Sequence, residues 1–156
     1  MSVEKIKDQN SIRHLEQTIP LEYIYTTGVA GEKFFRELME NGKLMGTRCG
    51  KCKRVTLPGR IYCESCFEYV DEWIDVGNKG KVHSFTVTKL DVDGTVLSKP
   101  IIFAVIKFDG VLGGLIHKLD DVQPEKVYIG MPVEAVFREK AQRTGSINDI
   151  KYFKPV

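Results

Sequence analysis

Cys49-Gly50-Lys51-Cys52, followed after ten residues by Cys63-Glu64-Ser65-Cys66, holds every cysteine of the chain. A two-residue gap lets both thiolates of a pair grip one face of a metal ion, and tetrahedral zinc accepts four such ligands. Backbone N–H groups inside each turn can donate to the sulfurs and spread their charge. Zinc is the expected ion. Two disulfides are the alternative chemistry, and a rubredoxin-like iron centre would use the same ligand geometry. No cysteine is left over as a nucleophile. Four thiolates also close the coordination shell, whereas catalytic zinc keeps one position for water. Cys49, Cys52, Cys63 and Cys66 are therefore expected to hold a structural zinc. From Gly42 to Cys66 there are six Lys or Arg against one acid. Lys51, Lys53 and Arg54 offset the negative charge of a tetrathiolate centre, or else contact phosphate.

The rest of the chain bounds the possibilities. Its 156 residues, 42% hydrophobic and 28% charged, are ordinary for a globular protein, and a net charge of +2 argues against a polybasic nucleic-acid coat. No apolar run approaches the roughly 20 residues of a membrane span. Met1 to Pro20 lacks the apolar core of a signal peptide. A reducing, cytoplasmic setting without membrane attachment is expected.

Three segments follow from the punctuation. Residues 1–45 read as an N-terminal helical segment and arm. Ile6, Ile12 and Leu15 give a thin apolar stripe ended by Pro20. Leu21–Thr27 reads as an extended arm that packs on its own domain or, alternatively, on a partner. Gly31–Met45 is the strongest helix, with Phe34, Phe35, Leu38 and Met39 on one side and Asn41-Gly42 as a stop. Residues 46–79 read as the ribbon, entered by a strand over Lys43–Arg48 and closed by a strand over Phe67–Gly77. Trp73 is expected to pack at the junction of two modules. Gly77-Asn78-Lys79-Gly80 marks the boundary.

Residues 80–156 read as five strands: Lys81–Lys89, Ile101–Phe108, Val111–His117, Pro132–Arg138 and Ser146–Phe153. Pro100 separates the first two, Asp109-Gly110 suggests a type I′ hairpin turn, and Val122–Gly130 suggests a short helix. Gly113-Gly114 inside a strand implies a bulge or a close backbone approach. Five strands with a helix after the third is the order of an OB-fold barrel. The expected fold is thus mainly β with N-terminal helices, a rubredoxin-like zinc ribbon followed by a five-stranded OB-fold. Ile101–Ile106 is apolar on both faces, so its outer face calls for cover by the N-terminal helix or a partner.

In this order the motifs resemble a known family, the acyl-CoA-associated proteins with a rubredoxin-like zinc ribbon followed by an OB-fold. The resemblance covers Tyr23 to Pro155. It rests on Tyr25–Phe35, on Gly42–Cys49, on both cysteine pairs, on Gly77–Thr86, on Ile129–Glu134 and on the ending Phe153–Pro155. Two departures stand out: Leu57-Pro58-Gly59-Arg60 where the family often has Pro-Pro-Arg, and Lys53 where a glycine commonly follows the first pair. The resemblance implies a non-catalytic accessory protein that binds a thiolase-type enzyme and contributes to acyl-CoA binding. Archaeal relatives are similar to a scaffold bridging acetoacetyl-CoA thiolase and hydroxymethylglutaryl-CoA synthase in the mevalonate route to isoprenoids.

A CoA partner needs cations for its phosphates, and Lys107, Lys118, Arg138 and Lys140 lie on or beside the barrel strands. Solvated surface charge is the plainer account of any one of them. No catalytic residue stands out: His83 and His117 are each alone in a strand, and there is no phosphate loop or dinucleotide fingerprint. The alternative is a single-stranded nucleic-acid-binding module. The barrel's eleven Lys or Arg against nine acids, and its lack of a row of aromatics on the middle strands, weigh against it.

Overall fold

Phe34 and Leu38 are four residues apart, so a helix places them on one face, and both are buried in helix α1 (Gly28–Asn41). Gly42 ends the helix at φ 64°; its N–H donates to the Leu38 carbonyl at 3.1 Å and that of Lys43 to the Glu37 carbonyl at 3.4 Å. The helix therefore begins before the expected Gly31 and stops short of Met45, which already lies in a strand. The computed structural model describes residues 24–91 and 93–156. The expected helix around Ile6 to Leu15 and the start of the arm lie outside them. Within the arm, Ile24 and Tyr25 are exposed.

Strands β1 (Met45–Arg48), β2 (Val55–Leu57) and β3 (Glu72–Asp75) form the ribbon sheet with β1 central. Its fourth strand is β6 (Val111–Gly113), which comes from the C-terminal half of the chain and runs parallel to β2, with Val55 opposite Val111 and Leu57 opposite Gly113. The remaining strands close a barrel in the order β4 (Lys79–Leu90), β5 (Val96–Lys107), β7 (Leu115–Leu119), β9 (Ile150–Pro155), β8 (Pro132–Phe137), with β8 returning to β4.

Several expected elements differ, each for a local reason. The third barrel strand is split: Gly113 (φ 85°) and Gly114 (φ 146°) step the chain from the ribbon sheet into the barrel. The turn at Asp109-Gly110 is closed by the Val111 N–H donating to the Phe108 carbonyl at 3.1 Å. Only Gly110 has positive φ, and a type I′ turn needs it at both central residues, so the turn is of another type. Pro100 lies inside β5, in the irregular stretch between the pairs Thr88–Ile101 and Leu90–Val96 and before the β7 ladder begins at Ile102, where a missing N–H is tolerated. The expected helix over Val122–Gly130 is a single 3-10 turn, Pro124–Lys126. Ser146 starts another 3-10 turn, Ile147–Asp149, through a capping box with Asp149, which delays β9 to Ile150.

One apolar core runs through the molecule. Phe34, Leu38, Leu44 and Leu57 join Val82, Ile102, Ala104, Ile106, Leu115, Leu119, Val133, Ile150 and Phe153 in a single cluster. Full burial of a side chain such as Ile106 or Phe153 contributes about 1.5–3 kcal/mol. Ile101, Phe103 and Val105 alternate with the inward residues of β5 and lie half-buried on its outer face.

Candidate metal centre and barrel groove

Two turns of the same form build the metal centre. The Cys49 N–H donates to the Arg54 carbonyl and the Lys53 N–H to that of Cys49, both at 2.9 Å. The Cys63 N–H donates to the Glu68 carbonyl and the Phe67 N–H to that of Cys63, again at 2.9 Å. The residue after each pair takes positive φ, 60° at Lys53 and 57° at Phe67. That conformation favours glycine, which explains why glycine suits the position after the first pair. Thr47 locks the intervening loop to β1: its hydroxyl donates to the Arg60 carbonyl at 3.0 Å and accepts the Arg60 N–H at 2.9 Å.

The four sulfurs lie within 4.8 Å of one another, and Cys52 Sγ is 3.7 Å from Cys63 Sγ. Zinc–sulfur bonds of about 2.3 Å in a tetrahedron put sulfurs about 3.8 Å apart, so the donor set fits zinc. The electrostatics agree. N–H groups of Ser65 and Cys66 draw the Cys63 thiol down to about 7. Its neighbour Cys66 is pushed up to about 12, first by the Cys52 sulfur and then by desolvation. Crowded thiols that cannot all ionise together are relieved by a dication. Cys49, Cys52, Cys63 and Cys66 hold a structural zinc ion, and all four cysteines are used in it. The surrounding cations meet acids: Lys51 reaches Glu68 at 3.5 Å and Arg60 reaches Glu64 at 2.6 Å.

Trp73 packs within the ribbon and against helix α1, rather than on the barrel that follows it. It lies in β3 opposite Thr47, its ring sits over Gly59, and Lys33 of α1 places its ammonium 4.8 Å from the ring centre.

The structure separates the four cations singled out in the barrel. Lys107 ends β5 opposite Lys81, and Lys140 is exposed in the 3-10 turn Lys140–Gln142. Lys118 and Arg138 line one cavity of about 220 Å³ with Phe103, His117 and Lys151. A larger cavity of about 550 Å³ also takes in Lys118 and Lys151, together with Lys99, Asp120 and Tyr152. Lys151 escaped sequence reasoning because only barrel closure brings β9 beside β7, and Lys99 because β5 begins before Pro100, at Val96, where no strand was expected. Lys99 pairs with Asp120 at 2.8 Å, which holds the Asp120 carboxyl below and the Lys99 ammonium above its ordinary value. Tyr152 donates to Asp121 at 3.0 Å. His117 is buried with Nε2 at 3.3 Å from the Ile147 carbonyl, and desolvation lowers its pKa; His83 is exposed.

A zinc-ribbon and OB-fold protein is the class that this fold and centre define. Residues 36–69 match the profile described as the ChsH2 rubredoxin-like zinc ribbon domain, and residues 73–138 match the ChsH2 C-terminal OB-fold domain. The chain belongs to the DUF35 family. It is 33% identical over 126 residues to a DUF35 domain-containing scaffold protein of Methanocaldococcus jannaschii, covering 78% of this chain and 88% of that one. A protein of the same description from Methanothermobacter thermautotrophicus is 29% identical, with 78% and 92% covered. Among solved structures, a DUF35-family protein of unknown function from Sulfolobus solfataricus superposes with a TM-score of 0.62 at 31% identity, covering 70% of this chain and 78% of that one. A structure described as an Ltp2-ChsH2(DUF35) aldolase shares the fold at 24% identity, with a TM-score of 0.56 and coverage of 80% and 93%. Among the described residues no helix is long and apolar enough to cross a membrane.

Proposed function

We propose that the chain is a non-catalytic scaffold that binds a thiolase-type enzyme, bridges acetoacetyl-CoA thiolase to hydroxymethylglutaryl-CoA synthase in the mevalonate pathway, and contributes to acyl-CoA binding or channelling. The observation that carries this reading is the relative described as a scaffold protein, aligned over 88% of its length at 33% identity. In this reading residues 1–45, 46–79 and 80–156 are the working units, and the protein acts in the cytoplasm. The ribbon supplies a docking surface: Tyr62, Phe67 and Tyr69 are exposed around the second cysteine turn, Phe67 at 84%. Exposed aromatics on a rigid frame are what a partner's pockets take as anchors. The barrel supplies the CoA side, with Lys118 and Arg138 kept as phosphate contacts and Lys107 and Lys140 placed outside the shared cavity.

The test is reconstitution of the purified chain with the thiolase and the synthase, read by light scattering after gel filtration. A complex containing all three proteins is the expected result. Separate elution of the enzymes in the presence of the chain, or capture of the chain only by single-stranded nucleic acid, would overturn the reading.

A further inference from the structure

We infer that the seam between β7 and β9, with the apolar shelf beside it, binds the phosphorylated nucleotide end of a small ligand. The inference rests on the scaffold reading only for the ligand's identity, the nucleotide half of a CoA thioester. The site itself rests on the barrel's geometry. Neighbouring strands share ladders of several residue pairs, but β7 and β9 are registered at one pair, Leu119 with Phe153. The Asp120 N–H adds one bond to the Phe153 carbonyl at 2.9 Å. On the N-terminal side of that point a cavity of about 220 Å³ opens, lined in part by Phe103, Ile116, His117, Lys118, Arg138 and Lys151.

Charge at the seam is left over rather than balanced. The acids nearby are engaged, Asp120 by Lys99 and Asp121 by the Tyr152 hydroxyl. Among the described residues neither Lys118 nor Lys151 forms a close ion pair, although Lys151 adds to the field that holds the Asp120 carboxyl low and lies 5.5 Å from the Tyr152 ring centre; both border the seam cavity and its larger neighbour. Arg138 is aligned by its own bond, Nε donating to the Asn148 carbonyl at 2.6 Å, which leaves its terminal nitrogens for an anion. A second, independent sign comes from His117. It is only 8% exposed, lines the same cavity, and its Nδ1 is buried without a hydrogen-bond partner. Buried polar atoms in folded proteins are nearly always paired, so an unmatched one in a cavity wall marks a place for a ligand's polar atom.

What selects a nucleotide over free phosphate is the adjoining surface. Phe103 and Ile116 also line an apolar hollow of about 180 Å³ with Phe85 and Val105. Ile116 is 72% exposed there. A purine laid on that shelf would put its sugar phosphates at Lys118, Lys151 and Arg138. One shelf beside one cluster of cations suits a single nucleotide, whereas a polymer needs a repeated track of both.

The test is calorimetric titration of the zinc-loaded full chain with adenosine 3′,5′-bisphosphate, inorganic phosphate, pantetheine and a single-stranded oligonucleotide. The bisphosphate is expected to bind, and Lys118→Gln/Lys151→Gln to weaken it about tenfold or more, with zinc content and melting temperature unchanged. Ile116→Ser, at an exposed position, should weaken the bisphosphate and leave inorganic phosphate unaffected. Absence of bisphosphate binding by the wild-type chain, equal affinity in the double variant, or binding of the oligonucleotide alone would overturn the site. The two readings fail separately: a three-protein complex without bisphosphate binding removes only the site, and bisphosphate binding without that complex removes only the scaffold.

Discussion

The carbonyl oxygen of Leu57, in the ribbon, accepts the N–H of Gly114, at the mouth of the barrel, at 3.0 Å. A Cβ on Gly113 would be driven into that same oxygen, and Gly113 holds φ at 85°. Steric clash and backbone strain therefore coincide at one residue. Gly113→Ala is expected to destabilise the fold by about 2–4 kcal/mol, measured by urea denaturation. A loss below about 0.5 kcal/mol would mean that the seam between ribbon and barrel is slack.

Zinc is expected to hold the ribbon outright. Cys49→Ser should lower bound zinc to well below one per chain, by elemental analysis, and abolish partner binding in the same preparation. Retention of both metal and partner affinity by the variant would contradict a structural zinc.

His117 predicts a pH dependence of definite sign. Burial lowers its pKa from the ordinary 6.5, so the unfolded chain takes up a proton that the folded chain refuses. Stability should be level above that value and fall as the pH drops from 6.5 through the lower folded-state value. His117→Phe should remove this part of the slope, read as the urea midpoint between neutral and mildly acid pH in both proteins. Acid release of zinc affects both chains and cancels in the difference. Identical slopes would show that His117 is not held neutral.

Gly59 and Trp73 form a further testable contact. A Cβ at Gly59 would meet the indole at 2.5 Å. Gly59→Ala should displace the ring, shift the emission of the single tryptophan, and cost about 1–3 kcal/mol by overpacking. Unchanged emission would place the ring elsewhere.

Much of this was legible in the residues, because local chemistry dictated it. Cysteine spacing marked the metal site, Asn41-Gly42 marked the helix end, and the apolar run Ile101–Ile106 marked a strand covered on both faces without telling which face turns inward. What stayed hidden was long-range. Nothing near Val111 signals that its partner is Val55, more than fifty residues earlier, although Gly113-Gly114 did signal a close approach of some backbone. The same holds for the groove: Lys118 was visible as a cation, but Lys151 joins it only through the parallel contact of β7 and β9. Val122–Gly130 carried helix-like punctuation, with a proline near its start and a glycine at its end, yet only Pro124–Lys126 turns.

The parallel pairing of β2 with β6 has a consequence for how the chain can be divided. Two profiles meet near residue 70, which invites cutting there to obtain two free-standing pieces. A C-terminal fragment would carry β6 without its neighbour, exposing a row of bare amide groups beside Leu112, the kind of edge that recruits foreign strands. An N-terminal fragment would lose the outer strand of a sheet whose own strands are three or four residues long. The two lobes thus complete one another's sheet. Exchanging ribbons between relatives to redirect partner choice would have to carry Val111–Gly113 along with residues 46–79, even though the two segments are far apart in the chain.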